Sequence, residues 1–270
     1  MVDARRPIGM FDSGVGGLTV ARAVIDLLPH EDLVYFGDTA RCPYGPRPPD
    51  EVRKFALEIM DGLVDDGVKM LVVACNSAAS TALDDARDRY DIPVVGVIEP
   101  GVRAAVAATR NGRIGLVGTV ATVRSGAYDR ALRATGADVH MVSQACPRFV
   151  EFVERGDTTS DELVAIAHEY LDPLAAAGVD TLILGCTHYP LLAGVVQYVM
   201  GDGVVLVSSA GATAADVYAA LRDRDMLNPG RDLGVHRFIS SSDPATFSEL
   251  GVRFLGPEFV RVESRPWDRP

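Results

Sequence analysis

Short apolar runs alternate with longer amphipathic segments along most of this chain, and this alternation restricts the possible folds strongly. Runs such as Leu71-Val72-Val73-Ala74 contain no polar residue, which is typical of strands buried on both faces. Strands that alternate with helices favour layers built on parallel sheets. The pattern therefore predicts an α/β fold with mainly parallel sheets.

The predicted strands are short and rich in branched apolar residues, and they cover residues 7–11, 33–36, 69–74, 93–97, 113–117, 138–142, 180–184 and 204–207. The predicted helices carry apolar residues at helical spacing, and they cover residues 18–28, 50–66, 78–90, 124–135, 161–177 and 191–200. Residues 261–270 are polar and contain proline, which predicts a tail.

The chain also repeats itself. GVKMLVVACN at 67–76 matches GVDTLILGCT at 178–187, and PIGMFDSGVG at 7–16 resembles RIGLVGTVAT at 113–122. Buried strands resemble one another by chance, but here the shared Gly-Val and the shared cysteine favour a duplication. The sequence predicts two pseudo-symmetric α/β domains, residues 1–97 with about 209–270 and residues 98–208, with the active site in the cleft between them.

Composition excludes several classes of function. The formal net charge is −11 and the pI is about 4.9, so an acidic surface disfavours direct binding to nucleic acid. The sequence contains no run of 18 apolar residues, so we expect no membrane span. Its polar start does not resemble a secretion signal. We therefore expect a cytoplasmic protein without disulfides.

Its four cysteines show no metal-ligand spacing, so we expect no metal. Lys54 and Lys69 are the only lysines, and neither sequence context suits a Schiff base. A pyridoxal-phosphate enzyme needs such a lysine, so we expect no cofactor.

Cys75 and Cys186 both follow predicted strands at equivalent points of the repeat. Ligands of open α/β sheets bind beyond the carboxyl ends of the strands, where helix N-termini also lower thiol pKa values. Asn76, Ser77 and Thr187 are suited to capping such helices, with Pro190 in a first helical turn. A buried cysteine is usually inert, but two matched thiols favour a reaction with two mirrored steps, such as racemisation.

Four segments carry a resemblance to a known family: FDSGVGGLTV at 11–20, PYG at 43–45, ACNSAAS at 74–80 and GCTHYPLL at 185–192. In this order they resemble the motifs of glutamate racemase, and the resemblance runs from about Ile8 to Leu255. Ser77 stands where threonine is common, and Cys42 before the Pro-Tyr-Gly turn is unexpected. The resemblance implies a cofactor-independent enzyme that converts L-glutamate to D-glutamate for peptidoglycan. It also implies that the enzyme is a homodimer.

The resemblance also implies roles for individual residues. Cys75 and Cys186 are the acid/base thiols, acting on D-glutamate and L-glutamate respectively, with Asp12, His188 and Glu154 as further catalytic residues. Glu151 is an alternative to Glu154 as the carboxylate that assists the second thiol. The substrate-binding residues are Asp12, Ser13, Tyr44, Gly45, Asn76, Ser77, Thr187 and His188. Thr119 and Thr122 follow the second-half strand and either bind a carboxylate or cap a turn.

Some of these residues have structural alternatives. Asp12 could cap the helix predicted at 18–28, His188 could be a satisfied structural histidine, and Tyr44 could be a packed loop residue.

Other functions also stay open at this point. They are an aspartate racemase of the same group, a racemase-fold protein with a second role in binding a DNA topoisomerase, and a cysteine hydrolase that uses Cys186 with His188. The last is disfavoured because a histidine two residues from the thiol on a tight turn is poorly placed to relay a proton.

Overall fold

The computed structural model describes residues 3–256 and 261–266, which form two parallel sheets flanked by helices. The strands are β1 Ile8–Asp12, β2 Leu33–Gly37, β3 Met70–Val73, β4 Val94–Gly96, β5 Arg113–Gly118, β6 His140–Ala145, β7 Thr181–Gly185, β8 Val205–Ser208, β9 His236–Ser240 and β10 Val262–Ser264. The helices are α1 Leu18–Leu27, α2 Pro49–Asp65, α3 Asn76–Arg89, α4 Ile98–Ala108, α5 Val120–Arg124, α6 Ala127–Thr135, α7 Arg148–Glu154, α8 Asp161–Ala176, α9 Ala193–Met200, α10 Ser209–Arg222 and α11 Pro244–Leu255.

The first sheet has six strands in the order β10-β9-β2-β1-β3-β4. All of its pairings are parallel. The strand β9 pairs with β2 from Leu33↔His236 to Gly37↔Ser240. The chain therefore returns to this sheet after completing the second one.

The second sheet has four parallel strands in the order β6-β5-β7-β8. This arrangement corresponds, strand for strand, to β2-β1-β3-β4 in the first sheet, with β5 equivalent to β1 and β7 equivalent to β3. The register is equivalent as well, since Ile8 pairs with Met70 and Ile114 pairs with Thr181. These partners are separated by the same offsets as the sequence repeat, 106 residues (114 − 8) and 111 residues (181 − 70). The predicted α/β fold and its pseudo-symmetry are confirmed.

The central strands are buried on both faces, as their unbroken apolar runs predict. Every residue of β1, β2, β3 and β7 is buried. One apolar cluster covers the first sheet and reaches Ile114 and Ile183 of the second, while another packs on the opposite side of the second sheet around Phe149 and Leu182. Burial on both faces leaves the strand ends as the accessible part of each sheet.

Two predicted helices have different bounds. The predicted segment 124–135 corresponds to α6 and includes only the last residue of α5, because Gly126 between the two helices adopts a left-handed φ of +64°. The segment 191–200 begins as a tight 3-10 turn, Tyr189–Leu192, before α9. Five of the described helices were not predicted: α4, α5 apart from its last residue, α7, α10 and α11.

The predicted tail is wrong for its first part. The strand β10 pairs with β9, and the Arg265 guanidinium lies 2.6 Å from a carboxylate oxygen of Asp66. Three residues are too short to show a period in the sequence. The end of the predicted tail, 267–270, lies outside the described residues. None of the described helices is long and apolar enough to cross a membrane.

Candidate active site

A cavity of about 220 Å³ lies where the carboxyl ends of both sheets face each other. Its walls come from both halves of the chain, including Cys75 after β3 and Cys186 after β7. The predicted site residues that line it are Asp12, Ser13, Tyr44, Gly45, Cys75, Asn76, Ser77, Thr119, Glu154, Cys186, Thr187 and His188. Both thiols of the repeat therefore border one cavity.

Cys75 stands at the N-cap of α3 and is 5% exposed. Burial, and then the negative charge of Asp12, raises its pKa to about 12, while hydrogen bonds from Ala78 and Ser13 act in the opposite direction. Its sulfur lies 3.7 Å from the hydroxyl of Ser13. At neutral pH this thiol is protonated and can donate a proton.

The surroundings of Cys186 are different. It is followed by a 3-10 turn instead of the α-helix N-terminus expected from Thr187 and Pro190, so the helix dipole acts only on the first thiol. His188 supplies a positive group in its place. The Nδ1 atom of His188 lies 3.9 Å from the sulfur of Cys186.

His188 is buried between this thiol and a carboxylate. Its Nε2 atom is 3.5 Å from a carboxylate oxygen of Glu154, an ion-pair contact too long for a good hydrogen bond. Burial alone lowers the pKa of His188, but the hydrogen bond with Cys186 and the Glu154 carboxylate outweigh burial and raise it to about 10. The imidazole therefore carries a proton at neutral pH. Glu151 also lines the cavity, but Glu154 is the carboxylate that forms an ion pair with His188.

Three buried polar atoms at the cavity have no hydrogen-bond partner among the described residues: Nε2 of His188, which has only its ion-pair contact with Glu154, and one atom each of Asp12 and Asn76. Asp12 accepts a hydrogen bond from the backbone N–H of Gly14 through Oδ2, but its Oδ1 has no partner among the described residues. The α1 N-cap is Gly17, without a side-chain cap, so Asp12 does not cap that helix. Asn76 accepts a hydrogen bond from Tyr128 through Oδ1, whereas its Nδ2 is without a partner in the described part of the chain.

Hydroxyl groups connect the two halves beside the cavity. The Ser77 and Thr119 hydroxyls are 2.9 Å apart, and Thr119 caps α5 by accepting a hydrogen bond from the Thr122 backbone N–H. Thr122 is 1% exposed and lies behind Thr119 instead of at the cavity wall. Thr122 does not line the cavity, and its backbone N–H is the group that the Thr119 side chain caps. Asn76 and Ser77 do not cap α3, because both are already inside its first turn.

Tyr44 faces the cavity within a loop of the first half. Its hydroxyl donates a hydrogen bond to the buried carboxylate of Asp38, which also accepts from Ser241 and pairs with Arg41. Since the hydroxyl is engaged there, Tyr44 offers the cavity its ring and backbone. Gly45 lies so close to the second half that a Cβ there would be 3.0 Å from Thr119.

Several wall residues were not predicted, among them Cys42, Pro147 and Val150. The last two belong to the start of α7, a short helix without a clear sequence period. Asp38 and Tyr128 act behind the wall, and only their three-dimensional contacts reveal them.

The two lysines have other roles. The buried Nζ of Lys69 is bound by Glu31 at 2.5 Å and by the carbonyls of Ala4 and Met226. Lys54 is 72% exposed beside Glu58. Neither lines the cavity, so neither is placed to form a Schiff base there.

Residues 18–217 match the model of the family described as Asp/Glu/Hydantoin racemase. The chain is 58% identical to a glutamate racemase of Parafrankia sp. (strain EAN1pec) over 265 residues, which cover 98% of this chain and 96% of the relative.

Two solved structures are also similar. The glutamate racemase of Thermus thermophilus, in complex with beta-chloro-D-alanine, is 44% identical, with a TM-score of 0.89 and coverage of 98% and 99% of the two chains. The glutamate racemase of Francisella tularensis, in complex with D-glutamate, is 32% identical, with a TM-score of 0.92 and the same coverage.

Proposed function

This chain belongs to the glutamate racemase family, and we propose that it interconverts L-glutamate and D-glutamate by moving the α-proton between two thiols. The observation that carries the proposal is the placement of Cys75 and Cys186 at equivalent strand ends on one cavity. A racemase needs a base on one face of the α-carbon and an acid on the other. Two matched thiols supply both, and they exchange roles in the reverse direction.

In the free protein the protonation of the site matches the starting state of the step from L-glutamate. The Cys75 thiol holds its proton, while the protonated His188 lies beside the sulfur of Cys186. Cys186 can then act as base on L-glutamate, and Cys75 can deliver a proton to the opposite face to form D-glutamate. The positive imidazole stays near the sulfur that must be negative before it accepts the proton.

The α-proton of an amino acid is weakly acidic, so the carbanion needs stabilisation from the site. We propose that the free Nδ2 of Asn76, the Ser77 hydroxyl and the Thr187 hydroxyl bind the substrate carboxylates, together with Thr119, Tyr44 and Gly45. The positive N-terminal end of α3 acts in the same sense. Negative charge grows on the α-carboxylate as the proton leaves, so these contacts become stronger in the transition state.

Asp12 and Ser13 have a separate role beside the first thiol. We propose that the free Oδ1 of Asp12 accepts a hydrogen bond from the substrate ammonium group. That positive charge then offsets the Asp12 carboxylate, one cause of the raised pKa of Cys75. Substrate binding would thus make the Cys75 thiolate easier to form when D-glutamate is the substrate. Ser13 contacts the sulfur, and Glu154 supports the charge of His188.

The direct test is circular dichroism of the purified protein with L-glutamate and no added cofactor. We expect the signal to decay to zero as the racemic mixture forms, and we expect Cys75→Ala and Cys186→Ala to abolish this decay. Cys146→Ala is the matched control, because Cys146 is equally buried but does not line the cavity. A stable signal with the unchanged protein would refute the proposal. Decay with L-aspartate alone would identify an aspartate racemase, and ammonia release would identify a hydrolase.

Further proposals follow from the family. The D-glutamate supplies peptidoglycan, so depletion of the protein should cause D-glutamate dependence and loss of cell shape. The protein forms a homodimer in the cytoplasm, where its free thiols stay reduced. Sedimentation and cell fractionation test these two statements, and a pull-down with DNA topoisomerase tests a second role.

We assign the domains as residues 1–97 with about 209–270 and residues 98–208, a division that limited proteolysis can examine.

A further inference from the structure

Tyr128 belongs to α6 in the second half but reaches the first half of the site. Its side chain is 1% exposed, and its hydroxyl donates a 2.7 Å hydrogen bond to Oδ1 of Asn76. Asn76 is the first residue of α3 and directly follows Cys75. The phenol therefore binds a residue adjacent to one of the two thiols.

The neighbouring backbone leaves room for this hydroxyl. A Cβ added to Gly185, which precedes Cys186, would lie 3.4 Å from the Tyr128 oxygen. The hydroxyl thus lies between Asn76 at the start of α3 and Gly185 at the end of β7. Burial raises the pKa of Tyr128 far above the neutral range, so the phenol keeps its proton and remains a donor.

The direction of this hydrogen bond gives the orientation of the Asn76 amide, since the Tyr128 hydroxyl donates to its Oδ1. The amide has one acceptor atom and one donor atom on opposite sides. Because Tyr128 binds the acceptor Oδ1, the Nδ2 donor is directed elsewhere, and it has no partner among the residues described. A buried N–H group without a partner is costly, which points to a ligand atom as its missing acceptor.

We propose that Tyr128 is a positioning residue for racemisation, holding the Asn76 amide so that its N–H donates to the α-carboxylate of the substrate. The inference rests on the proposed function. If the amide turned over, it would present an oxygen to the carboxylate and repel it. The correct orientation matters most in the transition state, where charge on the carboxylate grows. Loss of the phenol hydroxyl should therefore lower kcat more than it raises KM.

The test is a double-mutant cycle of Tyr128→Phe and Asn76→Ala, with racemisation measured in both directions. Tyr128→Phe should lower kcat/KM by about 10-fold, the effect of one hydrogen bond to a charged group. In the Asn76→Ala background the same change should cost less than about 2-fold, because no amide remains to be oriented. The fall must be equal in both directions, since two enantiomers have an equilibrium constant of one.

Tyr90→Phe is the matched control. It removes a hydroxyl that binds Asp61 and the Leu57 carbonyl away from the cavity, so it should leave kcat/KM unchanged. An equal cost of Tyr128→Phe in both backgrounds would overturn the inference, as would unchanged kinetics in the single variant.

A second measurement does not depend on catalysis. The side-chain NH₂ signals of Asn76, assigned by their loss in Asn76→Ala, should shift in Tyr128→Phe and should no longer respond to D-glutamate as they do in the unchanged protein. Signals that remain identical in Tyr128→Phe would also overturn the inference. Failure of the proposed function is distinguishable, because then the unchanged protein itself would not racemise glutamate.

Discussion

His188 places its Nδ1 atom 3.9 Å from the sulfur of Cys186, and the opposite side of the same ring faces Glu154. One imidazole thus connects the second thiol to a carboxylate. Among the described residues no imidazole acts on Cys75, which stands at a helix N-terminus instead. The duplicated strands therefore present two thiols in electrostatically different settings.

The first prediction concerns the proton on His188. Its folded-state pKa of about 10 exceeds the unfolded value of 6.5, so the folded protein holds this proton where the unfolded chain has lost it. The resulting stabilisation is complete below pH 6.5 and is lost as the pH rises to about 10. Imidazole signals in NMR spectra should show His188 protonated at pH 8, and titration near pH 6.5 would contradict the assignment.

The second prediction concerns which thiol serves which enantiomer. Each thiol reaches one face of the α-carbon, so a variant that lacks one thiol keeps exchange on the other face. In deuterated water, Cys186→Ala should exchange the α-proton of D-glutamate faster than that of L-glutamate, and Cys75→Ala should do the reverse. Racemisation itself should fall by at least ~10²–10⁴-fold. Equal exchange of both enantiomers in both variants would mean that another base acts.

The third prediction concerns the approach of the two halves at Gly16. A Cβ at this position would collide with the His188 ring and the Thr187 hydroxyl. We expect Gly16→Ala to displace both side chains and to reduce kcat/KM by about 100-fold, a cost typical of small misplacements. Gly62→Ala is the control, since nothing lies within 4 Å of its added Cβ in the last turn of α2. Gly62→Ala should raise stability by at most about 0.5–1 kcal/mol. Normal kinetics in Gly16→Ala would show that the two halves can move apart at this point without loss of activity.

The fourth prediction concerns the hydroxyl contact between the halves. Ser77→Ala removes the 2.9 Å contact with Thr119 and should lower the free energy of unfolding by about 1 kcal/mol, with a higher KM. Ser80→Ala, one turn later, removes only a bond to the Ser77 carbonyl within α3 and should leave KM unchanged. Chemical denaturation and steady-state kinetics separate the two, and a normal KM in Ser77→Ala would remove this hydroxyl from the binding site.

The fifth prediction concerns cofactor independence. Lys69 is held by Glu31 and two carbonyls, and Lys54 lies outside the cavity. Dialysis against hydroxylamine should therefore leave activity intact, and the purified protein should show no pyridoxal absorbance. Activity that disappears on dialysis and returns with pyridoxal phosphate would contradict this expectation.

Local sequence patterns predicted the parts of the site that depend on local structure. Buried strands have a recognisable composition, so the positions of Cys75 and Cys186 at strand ends followed from the repeat. The orientation of Asn76 did not follow, because Tyr128 is 52 residues away on another helix. The hydrogen bond between Ser241 and Asp38 spans 203 residues, and no periodicity reports such a contact. The role of Thr122 behind Thr119 likewise depends on the exact start of α5.

The return of the chain to its first sheet has a consequence for synthesis on the ribosome. Until β9 emerges, β2 has no neighbour on one side, and its backbone groups from Leu33 to Gly37 form an exposed edge. The second sheet, by contrast, is complete once β8 has been made. A nascent chain therefore finishes its later half first, and its early half remains vulnerable to wrong strand pairing until translation is nearly over.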